Sequence, residues 1–492
     1  MASERDSSKI VNFFRDSTIF VTGGTGFIGK VMISKLILTC DVSCIYLLVR
    51  KKSSKSSAER MRELFENPIF IHMKSKLPDC MNRIKFVEGD CSLENLGLSA
   101  KDEETLCKSV NFVFHCAAAM NMLGSFDTAV KINIRGTQEL VNLSKRIVNL
   151  KAFVHLSTIS AFIEQDSIEE KLYKSQLEYE DCLNLLEVNH VLRLDEFHMD
   201  KLIGDKLNIY SMTKAVAENI FIRNKISVPV VIFRFALATP CWKEPIAGWA
   251  GRFYGPNGVM AFNLLDIAPP IYWDKPMIDF APADLIVNAL IAVTQHSCDK
   301  FQKSRNNLEE VSPFVYNYSN QNYENPLSFE DVISYAQKEF NVNVNLYSSK
   351  TAFILWVIMF GYIPALIGDF IGVLLGKKMR LFKMCQELVS LNFNILRINS
   401  HCKVNGDNVQ NCWKNLNESD KKLFSFDLNE IVFDEYAAVA CDSIREFLRA
   451  HVDKHEKIRL AASWVPQIRF AFKALYCVLG VYCIHLIYTW LA

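Results

Sequence analysis

Tyr210 and Lys214 bracket the run Tyr210-Ser211-Met212-Thr213-Lys214. On a helix this i to i+4 spacing puts a phenol and an ammonium on one face. A phenol exchanges its proton near neutrality only with help, because its ordinary pKa is about 10, and an adjacent cation lowers that value. The pair therefore reads as a proton-transfer unit, weighed against two unremarkable helix neighbours. A hydroxyl close by would polarise a substrate carbonyl and give a developing oxyanion a second donor. Thr158 is the first choice for it and Ser157 the second, in the run Leu156-Ser157-Thr158. The plainer reading is a hydroxyl that only satisfies backbone.

A second constellation is Thr22-Gly23-Gly24-Thr25-Gly26-Phe27-Ile28-Gly29. Glycines at Gly23, Gly26 and Gly29 let a chain turn tightly and let a pyrophosphate approach the N–H groups of a helix N-terminus. A bare strand-to-helix turn would look similar, so context decides. Downstream, the run Cys44 to Val49 ends in Arg50, Lys51 and Lys52 and carries no acidic residue there. NAD-selective folds usually place an Asp or Glu at this point for the ribose 2′-hydroxyl, whereas cations suit a 2′-phosphate. NADPH is the expected cofactor, with Arg50 and then Lys51 facing that phosphate.

Elements able to position these residues follow from the apolar pattern. Thr18–Thr22, Cys44–Val49, Ile84–Val87, Val110–Phe114, Phe153–Leu156 and Val230–Phe233 read as short buried strands. Phe27–Leu38 and Thr128–Ile147 read as helices between them. The alternation predicts an α/β fold with a doubly wound Rossmann-type parallel sheet. The stretch Glu164 to Asn208, rich in Leu and acidic residues, is expected to form helices over the site. Beyond about Asn325 the alternation stops, and Val332–Phe340, Phe353–Gly376, Leu381–Ile398 and Phe433–Leu448 suggest a mainly helical C-terminal domain. The expected organisation is a reductase domain over 14–325, a helical domain over 326–465 and a terminal membrane helix over 470–492.

The 492 residues are half hydrophobic, with 55 Lys and Arg against 54 Asp and Glu. That balance leaves no nucleic-acid footprint. Fifteen cysteines without a C-x-x-C pair read as free thiols of a reducing compartment. His190, His198, His401 and Cys402 lack compact ligand spacing, so no metal is expected.

The start Met1 to Asp6 is not followed by the apolar core of a signal peptide. Ala474 to Ala492 contains no Asp, Glu, Lys or Arg, and as a helix it spans roughly 28 Å. Arg469 and Lys473 before it orient it as a tail anchor with a cytosolic body. The endoplasmic reticulum is the first address and the peroxisome the second. Phe353 to Gly376 is as apolar but holds Pro364 and Asp369, and the cost of a charge at mid-membrane favours an interfacial or buried helical pair there.

Thr22 to Lys30 (TGGTGFIGK), Tyr46 to Arg50 (YLLVR), Tyr210 to Glu218 (YSMTKAVAE), Trp242 to Trp249 (WKEPIAGW) and Asn288 to Val293 (NALIAV) resemble the fatty acyl-CoA reductases, alcohol-forming enzymes of the extended short-chain dehydrogenase type. The likeness runs from about Phe14 to Asn325 and continues more weakly through Gly361 to Leu448. It implies reduction of a long-chain acyl-CoA by NADPH to an aldehyde and then a primary alcohol, with release of coenzyme A. Carried over, Gly23, Thr25, Gly26, Phe27, Ile28 and Gly29 would hold the pyrophosphate, Arg50 and Lys51 the 2′-phosphate, Asp90 the adenine and Ala117 the nicotinamide side. Tyr210 would be the proton donor and Lys214 its tuner, both also touching cofactor. The chain departs from the family at Thr158-Ile159-Ser160-Ala161-Phe162, at Arg234-Phe235-Ala236 and at Ala118 to Met122. Membrane lipid and a second copy of the chain are the expected macroscopic partners. The competing readings are a dehydrogenase or epimerase acting on a sterol or sugar, and a membrane lipid-binding scaffold that has lost activity.

Overall fold

The computed structural model describes residues 2–51, 56–120, 125–192, 201, 203–235, 237–251, 271–272, 279–306, 312–324, 329–340, 346–374, 376, 381–383, 385–386, 389, 402–452 and 467–478. Two compact units result. The first comprises Met1–Gly251, Asp279–Leu327 and His401–Tyr436, the second Arg252–Ile278, Ser328–Ser400 and Ala437–Ala492.

In the first unit the apolar runs become β1 (Thr18–Thr22), β2 (Cys44–Val49), β3 (Ile84–Glu88), β4 (Phe112–His115), β5 (Ala152–Thr158), β6 (Val230–Phe235) and β7 (Phe314–Tyr318). They form one seven-stranded sheet in the order β7-β6-β5-β4-β1-β2-β3. Every neighbouring pair is parallel. β4 and β5 are buried along their whole length, as strands covered on both faces must be. The order reverses between β1 and β4, which opens a crevice at their carboxyl ends. Helix α1 (Phe27–Leu38) follows β1, α2 (Ile209–Arg223) precedes β6, and α3 (Ala283–Asn306) precedes β7.

The span Glu164 to Asn208 is only partly helical. It holds helix Tyr179–Leu192, but Ser167–Ile168 is a short strand paired with Lys403–Val404. That pairing belongs to a return of the chain into the first unit beyond residue 325. Tyr318 Oη donates to Phe426 O at 2.7 Å, Lys35 Nζ to Leu423 O at 2.6 Å, and Ser8 Oγ to Asp420 Oδ1 at 2.5 Å.

In the second unit one helical run, α4 (Lys350–Leu374), replaces the expected helical pair. Pro364 does not break it, because a π turn at Ile358–Tyr362 precedes the proline. There Ile363 N–H bonds Ile358 O, so the next carbonyl, Met359 O, would await an N–H that proline lacks. Tyr476 Oη donates to it instead at 2.9 Å. Asp369 is buried, and its carboxylate accepts the N–H groups of Leu381 and Phe382 at 2.9 and 3.0 Å. Phe353 and Val357 are buried as well, while Leu355, Phe370, Ile371 and Leu374 are turned outward. It is long and apolar enough to cross a membrane by length and composition. Of the expected terminal helix over 470–492, residues 470–478 are helical and 479–492 lie outside the described residues.

Candidate active site

The glycine loop lies at the crevice between β1 and β4. Gly23 has φ +74°, and a Cβ there would sit 2.5 Å from Ala117 N. At Gly29 a Cβ would sit 2.5 Å from Gly23 O, so the loop closes only with glycine at both places. Gly26 N–H bonds Gly23 O at 2.9 Å, and Gly26 opens α1 without any side-chain cap. The first amides of α1, from Phe27 and Ile28 after the Thr25 turn, are thus left for an anion, the arrangement a dinucleotide pyrophosphate fits. The Phe27 ring itself packs on Trp249, centroids 5.4 Å apart. Ala117 N–H reaches Thr22 Oγ1 at 3.4 Å, which holds the end of β4 against the loop.

At the end of β2, Arg50 and Lys51 are both exposed, and the Lys51 ammonium pairs with Glu88 at 2.6 Å. Asp90, just past β3, uses its carboxylate to accept Ser92 N–H at 2.9 Å, and its own N–H bonds Leu96 O.

Asn208 caps α2 by accepting Ser211 N–H at 2.9 Å, which sets Tyr210 in the first turn. The Tyr210 phenol faces the Thr158 hydroxyl at the end of β5, which itself accepts Ser160 N–H at 3.2 Å and lies 3.0 Å from Ser160 Oγ. Burial pushes this phenol up to about 12, with the nearby Thr158 hydroxyl opposing the rise. Lys214, expected to tune that phenol, makes its hydrogen bonds elsewhere. Its Nζ turns into the sheet, donating to Leu156 O at 2.5 Å and lying 3.1 Å from His155 Nε2. Burial brings the Lys214 ammonium down to about 8, against the pull of Glu218 and Cys116.

Ser157 drops out of the oxyanion role. Residues alternate across a strand, and Ser157 Oγ donates to Glu218 Oε1 at 2.5 Å while Thr158 meets the phenol. Glu218 in turn takes Nε and Nη2 of Arg234, the closest approach being 2.6 Å.

Several residues of the site were missed from sequence. His115 and His155 stand in the buried strands β4 and β5 with ring centroids 5.2 Å apart. Burial holds His115 down to about 3 and His155 well below the usual histidine range, so both are neutral. Asn133 grips Ala119 through both its N–H (2.7 Å) and its carbonyl (3.3 Å), and also reaches Thr213 Oγ1 at 2.9 Å. A polar residue in the middle of an apolar strand or buried turn was the available signal.

Trp242 to Trp249 now has a structural account. Asp284 accepts the N–H groups of Trp242, Lys243 and Glu244 at 2.8, 2.8 and 3.0 Å. Glu244 pairs with Lys35 of α1 at 2.6 Å. The segment is thereby fastened onto the helix that begins at the glycine loop.

The strand order, the glycine cradle and the Tyr210–Thr158 pair define a Rossmann-type reductase that uses a nicotinamide cofactor. Residues 21–290 match the NAD-binding family model described as Male sterility protein, and residues 360–450 match a second model of that description. The fatty acyl-CoA reductase wat of Drosophila melanogaster is 33% identical over 90% of this chain and 86% of its own length. Fatty acyl-CoA reductase 1 of Homo sapiens is 28% identical over 92% of this chain and 90% of its own. Among solved structures, the terminal R domain of the myxalamid PKS-NRPS pathway superposes with a TM-score of 0.59 at 16% identity, covering 88% of this chain and 91% of that one. The chain belongs to the fatty acyl-CoA reductase family.

Proposed function

We propose that this protein reduces a long-chain fatty acyl-CoA with NADPH to the primary alcohol, through an aldehyde and with release of coenzyme A. The observation that carries the reading is the placement of the Tyr210 phenol beside the Thr158 hydroxyl, because it brings two hydroxyls together at the end of β5. When bound, NADPH supplies the hydride of each reduction. Tyr210, with its pKa raised to about 12, holds its proton at neutral pH, which suits an acid working in the reductive direction. In the first reduction Thr158 and Tyr210 donate to the carbonyl oxygen while the thiolate leaves with little need of an acid. In the second, Tyr210 gives its proton to the aldehyde oxygen, and solvent restores it.

Gly23, Gly26 and Gly29 with the α1 amides hold the pyrophosphate, Ala117 lines the nicotinamide side, Asp90 lies toward the adenine, and Arg50 meets the 2′-phosphate. The fatty acyl-CoA named for the relatives, together with the outward apolar residues of α4, supports a membrane-attached enzyme. The reductase domain would face the cytosol, first at the endoplasmic reticulum, with 470–492 as anchor. Product analysis decides the matter. Full-length protein in detergent, given long-chain acyl-CoA and NADPH, should yield alcohol by gas chromatography. No aldehyde or alcohol at any chain length would return the reading to a lipid-binding scaffold.

A further inference from the structure

The two buried histidines of the site differ in what their rings are free to do. Thr137 Oγ1 donates to Asn133 O at 2.6 Å, so it must accept from His115 Nε2, 3.0 Å away. His115 Nδ1 then accepts from the Thr22 hydroxyl at 2.7 Å, and that network assigns a single tautomer. His155 is unlike this. Its Nε2 lies 3.1 Å from Lys214 Nζ, and its Nδ1, though fully buried, has no hydrogen-bond partner. Moving the ring proton from one nitrogen to the other therefore breaks no other bond.

We propose that His155 is the positioning residue for Lys214, keeping the lysine amine on the Leu156 carbonyl in both of its protonation states. Toward the ammonium, Nε2 accepts and the ring proton sits on Nδ1. Toward the neutral amine, the ring proton moves to Nε2 and is donated to the nitrogen lone pair. Such a partner matters here because Lys214 is buried, so that both of its states are populated within reach of neutral pH. The titratable groups around it are Tyr210 and Glu218 on its own helix, His115 from β4 with Cys116 just after it, and His155 from β5. Of these, His155 is the one in hydrogen-bond reach of Nζ. Without it the ammonium would lose an acceptor and the amine its donor, and the side chain would leave its place on the Leu156 carbonyl. The assignment rests on the reductase reading of the same site for its catalytic meaning.

The test is His155→Leu beside His155→Gln in the full-length protein, with His155→Met in place of leucine should that variant fail to fold. Competitive acetylation followed by mass spectrometry reads the pH midpoint of Lys214 without any turnover. In His155→Leu the midpoint should fall by about one pH unit, because the hydrogen bond lost by the charged ammonium outweighs the neutral one lost by the amine. The alkaline limb of the reduction rate should move down with it. Glutamine, whose amide offers both an acceptor and a donor, should restore both. An unmoved midpoint in a folded leucine or methionine variant overturns the assignment. A shifted midpoint in a protein that makes no alcohol leaves His155 as the partner of Lys214 and removes the reductase reading alone.

Discussion

Arg234 and Glu218 form an ion pair of 2.6 Å in which both side chains are sealed from water. The guanidinium also donates to Glu169 O and Lys171 O, and its plane lies 4.5 Å over the Phe162 ring. Removing one member strands the other charge, which costs about 3–5 kcal/mol. Glu218→Ala should therefore lower stability by that amount in denaturant unfolding. A loss under about 1 kcal/mol would mean that water reaches the pair.

Tyr210→Phe keeps the ring and removes the proton. Cofactor binding should survive, measured by fluorescence titration, while alcohol formation falls about 10²–10⁴-fold. Aldehyde should build up, because expelling a thiolate needs less acid help than completing an alcohol. Unchanged alcohol output at matched expression would make the residue structural.

Ser157 and Thr158 should separate cleanly although they are adjacent. Thr158→Val removes an oxyanion donor and should cost about 10²-fold or more in kcat. Ser157→Ala should instead cost stability, about 1.5–3 kcal/mol for a hydrogen bond to a charged group, with kcat largely kept. The reverse pattern would reassign the oxyanion donor.

Much of this was legible before any coordinates. Six of the seven sheet strands stood out as apolar runs, and α1 was read at its observed bounds. β7, Phe314–Tyr318, escaped because it is short and interrupted by Asn317, whose amide bonds the carbonyls of Ile168 and Asn405. The i to i+4 rule located Tyr210 and Lys214 on one helix but could not say where the lysine's long stem would reach. That was decided by a carbonyl and an imidazole on β5. The return of 401–436 was hidden for a related reason: local periodicity marks an apolar face without naming the surface that covers it.

Arg50→Ala should weaken NADPH binding roughly tenfold or more while NADH is little affected, since only the former carries the 2′-phosphate. Lys51→Ala should do much less, because its ammonium already holds Glu88. Comparing KM for the two nucleotides checks both, and an unaltered NADPH preference in Arg50→Ala would overturn the assignment of this loop.

Deletion after Pro466 should leave protein in the membrane pellet, since α4 keeps its outward Leu355, Phe370, Ile371 and Leu374. Complete release into the soluble fraction would assign all attachment to the terminal segment.

The return of His401–Tyr436 to the first unit bears on how the protein is made. Asp420 meets Ser8 near the start of the chain, and the carbonyls of Leu423 and Phe426 meet Lys35 and Tyr318. A ribosome delivers these partners late, after the apolar helix α4 has already emerged. The nascent sheet must wait with those donors unanswered until residues 401–436 have been made. A message truncated near residue 325 would then yield an unfinished enzyme rather than a free soluble one.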